Sequence, residues 1–311
     1  MKTLLITGGF GYIGSSMVRH FRDKYRIVVV DNLMYNQLPQ VYPILDDVEF
    51  IHADARDSSI MAPIVETADI IFPLAAIVGA PACDKKKDAS VSTNLTAIQD
   101  LVRLAQHGQI IVFPNTNSGY GDTGGAICTE ETPLNAISLY GKTKDDAERV
   151  VLGYDNAVAF RLATVFGYSP RMRLDLLVNT LVKEAVDTGT INVFDDSFMR
   201  NYIHVKDICR AFEFAVDNID KMRGQVYNLG NDKVNMSKGE LVDVIVNQLP
   251  NTRVHYKNQT DPDKRNYIVS SAKLYELGWS PSYDLDDGII ELKQFYKHGI
   301  IDILKGNMTN V

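Results

Sequence analysis

The apolar run Leu4-Leu5-Ile6 leads straight into Thr7-Gly8-Gly9-Phe10-Gly11-Tyr12-Ile13-Gly14. That order predicts a strand, a glycine turn and the opening of a helix. Such a turn is an anion site, because free backbone N–H groups and the positive helix end face one point. Gly8 permits the tight turn, Gly11 lets backbone approach a phosphate, and Gly14 lets the helix pack close to the strand. The spacing is Gly-x-x-Gly-x-x-Gly, not Gly-x-Gly-x-x-Gly. A glycine trio alone says little, and context gives this one its meaning. Arg26-Ile27-Val28-Val29-Val30-Asp31 follows as a second strand ending on a carboxylate. An acid roughly 20 residues beyond the turn binds the adenosine ribose hydroxyls of NAD. Asp31 would repel a 2′-phosphate, so the pattern favours NAD over NADP. With no ligand, the same residues would make a plain strand-turn-helix of an α/β domain.

Short apolar runs recur at Thr3–Thr7, Arg26–Val30, Val48–His52, Asp69–Phe72, Gln109–Phe113 and Ala157–Arg161. Helical patterns lie between them, for example Ile13–Arg22, Thr93–Gln106 and Leu139–Leu152. The alternation predicts an α/β fold, a Rossmann doubly wound parallel sheet with helices on both faces. After Gly167 the pattern becomes mixed. Helices are expected over Leu174–Val186, Ile208–Val216, Gly239–Leu249, Ser271–Leu277 and Asp286–Tyr296, with strands at Asn201–Val205 and Val226–Leu229. This half reads as a smaller mixed α/β lobe. The expected division gives residues 1–168 plus about 197–222 to an NAD-binding domain, and about 169–196 plus 223–311 to a substrate-binding lobe. The tail Lys305–Val311 is expected to fray.

At 311 residues the chain is long enough for both lobes. It has no apolar run of the roughly 18 residues that a membrane span needs. It opens directly on a strand, so no signal peptide is expected either. Cys83, Cys128 and Cys209 lie far apart without zinc-type spacing, which points to no metal and to a reducing cytoplasm. A net charge of −7 counts against a nucleic-acid partner. The one basic run, Lys85-Lys86-Lys87, reads as a solvated helix approach.

Tyr140-Gly141-Lys142-Thr143-Lys144 is the second decisive feature. A helix places positions i and i+4 on one face, so the Tyr140 hydroxyl and the Lys144 ammonium can lie together. A phenol with a pKa of ~10 is a poor base at neutral pH. A nearby cation and the positive nicotinamide ring of NAD⁺ favour the phenolate. Such a group can take the proton of a sugar hydroxyl while hydride leaves the same carbon. Lys144 can also hydrogen-bond the nicotinamide ribose. Alone, Tyr-x-x-x-Lys is a frequent surface pair, but here it follows the fifth strand of a nucleotide-binding sheet. The end of that strand reads Phe113-Pro114-Asn115-Thr116-Asn117-Ser118-Gly119-Tyr120-Gly121. Thr116 can supply the hydroxyl that bonds the reacting oxygen, the other reading being turn chemistry alone.

With these motifs in place, the chain resembles the NAD-dependent epimerase/dehydratase family of the extended short-chain dehydrogenase/reductases, enzymes of nucleotide sugars. The resemblance covers nearly the whole chain. It runs through the turn Thr7–Gly14, Asp31-Asn32, His52-Ala53-Asp54, Leu74-Ala75-Ala76, Asn94, Thr116, Tyr140 with Lys144, and Arg161–Gly167. It implies that Tyr12 and Ile13 join the glycine turn at the cofactor. It also implies that Asn32, Ala76 and Asn94 serve the cofactor, that Asp54 and Ala55 hold the adenine, and that Leu74 and Ala75 line the ribose. Thr164 and Val165 would lie near nicotinamide and substrate.

Arg200-Asn201-Tyr202-Ile203-His204-Val205 resembles the family's Arg-Asp-Tyr/Phe-Ile-His-Val segment, whose arginine contacts the nucleotide diphosphate. Asn201 stands where the family has an acid. A second diphosphate arginine would be Arg265, and guanidinium forks suit phosphate. Surface ion pairing is the other role open to both arginines. Asn179 is a further candidate for the sugar or diphosphate, and His204 is expected to pack structurally.

The family begins with oxidation at C4 of the sugar. Its dehydratases carry Asp-Glu directly after the catalytic threonine, where this chain has Asn117-Ser118. Relatives that epimerise beside the ketone place cysteine or lysine near the position of Ser118. Neither set is present, so hydride transfer at one carbon is what remains. A 4-dehydrogenase releases the ketone, and a 4-epimerase returns the hydride to its other face. The segments Ile77-Val78-Gly79-Ala80-Pro81-Ala82-Cys83 and Ser169-Pro170-Arg171-Met172-Arg173-Leu174-Asp175 resemble bacterial surface-polysaccharide enzymes, GDP-manno-heptose 4-dehydrogenases of capsule synthesis among them. Val78, Gly79 and Arg171 are accordingly expected at the substrate, with Thr116, Asn117 and Ser118. A non-catalytic NAD-binding regulator on the same fold is the reading from another class. The family usually pairs as dimers, here through Thr93–Gln106 and Leu139–Leu152.

Overall fold

Strand β1 (Thr3–Thr7) is buried along its whole length, as a strand is when helices cover both faces of its sheet. Leu4 and Ile6 point into one core and Leu5 into another, the period-2 alternation of a strand. The computed structural model describes residues 1–257, 266–298 and 308–310. The strands that follow β1 are β2 (Arg26–Asp31), β3 (Glu49–His52), β4 (Ile70–Pro73), β5 (Ile110–Thr116), β6 (Asp122–Cys128) and β7 (Ala157–Leu162). Beyond them come β8 (Thr164–Phe166), β9 (Thr190–Val193), β10 (Met199–His204), β11 (Gln225–Leu229), β12 (Asn235–Ser237), β13 (Arg253–Tyr256) and β14 (Asn266–Val269).

Seven strands form one parallel sheet in the order β11-β7-β5-β4-β1-β2-β3. The chain builds outward in one direction from β1 and in the other from β4. At such a reversal a ligand crevice opens beyond the C-terminal strand ends. One face is covered by the helices Tyr12–Phe21 and Val205–Asp217, the other by Ser58–Glu66, Ala97–Leu104 and Leu139–Leu152. The Rossmann expectation is met. The smaller lobe has its own core, made by the helices Leu177–Thr188, Lys238–Gln248 and Leu285–Lys297. Among the described residues, no helix is long and apolar enough to cross a membrane.

Three expectations need correction. Strand β11 lies in the stretch assigned to the substrate lobe, yet it pairs with β7 in the main sheet, with Val226 opposite Ala159. Its apolar residues cover the open edge of a fully buried strand. Conversely, β10 was assigned to the nucleotide domain but pairs with β8 and β12 in a separate small sheet. The helix expected over Thr93–Gln106 is not continuous. A wide π turn at Ser92–Thr96 precedes the α-helix Ala97–Leu104. The Asn94 side chain turns inward there and clamps the backbone of Ile77, accepting from its N–H at 2.8 Å and donating to its carbonyl at 2.9 Å. Within the tail, Met308 is buried in the smaller core, and its carbonyl accepts from Leu174 N–H at 2.8 Å, so residues 308–310 do not fray. Residues 305–307 and 311 lie outside the described residues.

Candidate active site

The glycine turn is built as its sequence requires. Gly8 has φ +68°, in the left-handed region that favours glycine. A Cβ there would stand 2.7 Å from the backbone of Ala75, the turn after β4. At Gly14 a Cβ would stand 2.6 Å from the Gly9 carbonyl oxygen, so the helix can approach the strand only with glycine. The first N–H groups of a helix have no partner within it. Gly11 at the N-cap has no side chain to satisfy them. A pyrophosphate fits that end.

Asp31 is buried at the tip of β2. Its Oδ1 accepts from Leu33 N–H at 2.8 Å and Gln37 Nε2 at 3.1 Å, and its Oδ2 accepts from Phe10 N–H at 3.0 Å. A carboxylate oxygen accepts two hydrogen bonds, which leaves Oδ2 room for one ribose hydroxyl. Burial raises the pKa of Asp31, and the backbone bonds and the nearby Arg171 charge oppose that rise. Asp54 takes a bidentate pair from Arg56, at 2.9 and 2.7 Å, which holds its carboxyl down at about 2.

Thr116 ends β5, and its Oγ1 donates to Ser118 Oγ at 3.0 Å. Next to it, the Asn115 amide donates to Glu148 at 2.6 Å and Asp145 at 3.1 Å, and its oxygen accepts from Thr116 N–H at 2.7 Å. The end of β5 is thereby tied to the helix Leu139–Leu152. Ser138 starts that helix, with its Oγ accepting from Gly141 N–H at 3.1 Å. Tyr140 and Lys144 sit one turn apart and line one cleft with Thr116 and Ser118. Lys144 is buried, its Nζ 4.0 Å from the centroid of the Phe113 ring. Burial pushes its pKa down to about 7, against the pull of Glu148 and Asp145. Phenol, hydroxyl and a poised cation in one cleft can draw a proton from a sugar hydroxyl.

The cleft has a volume of about 620 Å³. Gly8, Gly11, Tyr12, Ile13, Gly14, Asp31, Asn32, Asp54 and Ala55 line it toward the glycine turn, with Leu74, Ala75 and Ala76 after β4. Thr164, Val165, Val78, Gly79 and Arg200 line it as well. Arg200 holds its guanidinium 5.4 Å from the Tyr267 ring centroid, and Nη1 donates to the Met199 carbonyl at 2.9 Å.

Three expected residues stand off the cleft lining. Asn94 is behind the wall, clamping Ile77. Asn117 is fully buried and does not line the cleft, because the short 3-10 turn Asn117–Tyr120 rolls it into the interior. Asn179 is also buried, where its amide bonds Gly167 N–H at 3.1 Å and the Arg173 carbonyl at 2.9 Å. Arg171 lines the cleft. It stacks 5.0 Å from the Tyr35 ring centroid, feels Asp31, and donates to Asn310 Oδ1 at 2.8 Å. Burial lowers its pKa to about 10. Arg265 lies outside the described residues.

Sequence reasoning passed over Tyr35, Gln37, Arg173, Asp175, Lys238 and Asn310, all on the cleft. The Arg173–Asp175 pair, at 3.0 and 2.5 Å, had a signal in its spacing of two. His204 packs as expected. Its Nδ1 caps the helix Val205–Asp217 by accepting from Lys206 N–H at 3.2 Å, and its Nε2 meets Glu291 at 3.0 Å. Asn201 is buried and donates to the Asn231 carbonyl at 2.9 Å. Among the described residues, no group of three or more His, Cys, Asp or Glu could hold a metal ion.

Comparison with known proteins gives a consistent result. The model of the NAD dependent epimerase/dehydratase family matches residues 4–230. The chain is 27% identical to the low-salt glycan biosynthesis protein Agl12 of Haloferax volcanii, over 94% of this chain and 98% of that one. It is 27% identical to a UDP-glucose 4-epimerase of Lactobacillus helveticus, over 93% and 95% of the two chains. Among solved structures it is similar to dTDP-glucose 4,6-dehydratase of Bacillus anthracis in complex with NAD, with a TM-score of 0.84, 25% identity, and coverage of 98% and 100%. The fold also matches UDP-glucose 4-epimerase of Thermotoga maritima with UDP-glucose, at TM-score 0.84 and 23% identity over 96% and 99% of the chains. The matched span takes in the glycine turn, Thr116, Tyr140, Lys144 and the sheet through β11, and the protein belongs to the NAD dependent epimerase/dehydratase family as an enzyme that uses NAD.

Proposed function

We propose that the protein oxidises C4 of a nucleotide-diphospho-sugar and releases the 4-keto product. Tyr140, Lys144, Thr116 and Ser118 together in one cleft carry this reading. When bound, NAD supplies the acceptor for the hydride that leaves C4. The Tyr140 phenolate oxygen takes the proton of the C4 hydroxyl and becomes the phenol, and Thr116 orients that oxygen. The Lys144 ammonium favours the phenolate and holds the nicotinamide ribose. Arg200 meets the diphosphate. Ser118 carries neither acid nor base toward the sugar, and Asn117 is buried away from the cleft. That favours transfer at one carbon without loss of water.

GDP-manno-heptose is the substrate favoured by the resemblance, and surface polysaccharide synthesis the setting. A relative named for glycan biosynthesis supports that setting. A nucleotide-sugar 4-epimerase is the second reading, supported by relatives named UDP-glucose 4-epimerase that match over nine tenths of the chain. In either case the protein is taken to be cytoplasmic and a homodimer or higher homo-oligomer, an oligomeric state that light scattering would measure.

The deciding experiment incubates the purified protein with GDP-, UDP- and dTDP-sugars. Reduced nicotinamide is followed by absorbance, and products by mass and NMR. Lasting reduced cofactor with a 4-keto sugar supports the dehydrogenase. An inverted C4 with no lasting reduction supports the epimerase. A dehydrated 4-keto-6-deoxy product would overturn the argument from Asn117 and Ser118.

A further inference from the structure

The helix Leu139–Leu152 brings Lys144, Asp145 and Glu148 into the interior, β7 brings Arg161, and all four are buried. Phe113 and Asn115 are two residues apart on β5 and so share one face of the sheet. Phe113 carries the Lys144 ammonium, and the Asn115 amide nitrogen serves both carboxylates. Glu148 is already neutralised. Arg161 reaches its Oε2 through Nε at 3.2 Å and its Oε1 through Nη2 at 2.7 Å. Among the described residues Asp145 joins no ion pair, and Asn115 is its hydrogen-bond donor. Two cations thus balance two carboxylates, with Arg161 spent on Glu148 and Asp145 left to Lys144. Charges leave water only where a partner offsets the loss.

The chain makes room for this acid. Gly119 sits in the turn Asn117–Tyr120 that carries Ser118, and its backbone is outside the left-handed region that would call for glycine. A Cβ there would stand 2.6 Å from Asp145 Oδ1 and 3.0 Å from Oδ2. Glycine at 119 therefore seats the carboxylate against the turn. Asp145 does not line the cleft, so it acts on the chemistry only through a neighbour. That neighbour is Lys144, whose burial is opposed by the charges of Glu148 and Asp145. Burial pushes the Asp145 carboxyl up to about 6, and the charges acting on it are Glu148 and Arg149 of its own helix and Arg161 of β7. The other titratable groups nearby stay neutral. Burial raises the thiol of Cys83, packed with Tyr140, and lifts Tyr120, bonded to Arg161, to about 12.

We propose that Asp145 is a positioning residue, the counter-charge that keeps the Lys144 ammonium charged and thereby sets the pH range of turnover. This rests on the reading above that Tyr140 and Lys144 carry the oxidation. A buried negative charge favours the proton on any neighbour, ammonium or phenol. Neutralising it makes both members of the catalytic pair lose their protons more easily, so the whole activity profile moves to lower pH. The counter-charge reduces the cost of burying the ammonium without cancelling it.

The test uses Asp145→Asn, which keeps the volume and can still accept from Asn115. The full, NAD-loaded chain is isotope-labelled at lysine Cε and titrated by NMR, the Lys144 signal being the one that Lys144→Met lacks. Its midpoint is expected to fall by about one pH unit in Asp145→Asn. Coupling between two sites is reciprocal. With aspartate labelled at Cγ, the Asp145 midpoint must therefore rise by a similar amount in Lys144→Met, a measurement that stands even if Asp145→Asn fails to fold. For the GDP-, UDP- or dTDP-sugar that turns over, the pH profile of kcat/KM in Asp145→Asn should move to lower pH by the same amount. An unmoved Lys144 or Asp145 midpoint overturns the counter-charge and leaves the oxidation reading standing. Moved midpoints with an activity profile that stays in place overturn the role in turnover. No turnover of any of these sugars by the wild type overturns the oxidation reading and that role with it, while the two titrations still decide the counter-charge.

Discussion

The Lys144 ammonium lies over the face of Phe113, 4.0 Å from the ring centroid, in a site closed to most water. The two residues come from different elements, Phe113 from β5 and Lys144 from the helix Leu139–Leu152. The ring's negative face attracts the cation and offsets part of its lost hydration. The strand thus fixes the height of the charge one turn from Tyr140, and Asn115 fixes the helix to the same strand.

Tyr140→Phe removes one oxygen and little volume. The fold and bound NAD should survive, while kcat falls by about 100- to 10,000-fold. Cofactor content and turnover of the purified variant check this, and full activity would remove Tyr140 from the chemistry.

Lys144→Met tests the buried charge through pH. The folded pKa of about 7 lies below the ordinary 10.5. Between those values the unfolded chain holds the proton and the folded one does not, so wild-type stability rises with pH across that window. Below it both states are protonated and the full cost of burial remains. The variant should be more stable by on the order of 1–4 kcal/mol near pH 6, with the gap closing toward pH 10. Urea unfolding of cofactor-free proteins at both pH values measures it. A gap independent of pH would contradict it. Turnover should be lost throughout.

Gly14→Ala puts a Cβ 2.6 Å from the Gly9 carbonyl oxygen. The helix must shift outward, at a cost of about 1–3 kcal/mol. Bound NAD, released by denaturation and quantified, should fall sharply. Normal loading would show that the turn tolerates the shift.

Arg161→Met strands a buried carboxylate. Arg161 Nη2 lies 2.7 Å from Glu148 Oε1, and both are buried. Removing one partner should destabilise the protein by about 3–5 kcal/mol. A change within experimental error in urea would mean that Glu148 finds another partner.

Arg200→Gln should weaken nucleoside diphosphate binding by about 10–100-fold and leave kcat within a few-fold. Calorimetry and a KM-against-kcat comparison separate the two effects.

The glycine turn, the sheet strands and the tyrosine–lysine spacing were legible because local pattern determines them. Thr3–Thr7 and Leu139–Leu152 have the bounds read from sequence. The short strands β8, β9, β12, β13 and β14 were not legible, nor was β6. β6 carries two glycines and pairs with β14 far along the chain, so neither segment announces itself alone. Asn94 read as a cofactor residue because it sits in a family motif, and only the fold shows its amide spent on Ile77. Arg171 likewise depends on Tyr35 and Asn310, contacts that no local window contains.

The chain leaves the main sheet after β7, builds part of the other lobe, and comes back to lay β11 on the edge that β7 left open. The lobes are therefore laced together, not strung in series. A grafted substrate lobe from a relative would need more than one splice point. A protein truncated before residue 225 would expose β7 as a raw, self-pairing edge, an aggregation hazard rather than a working half.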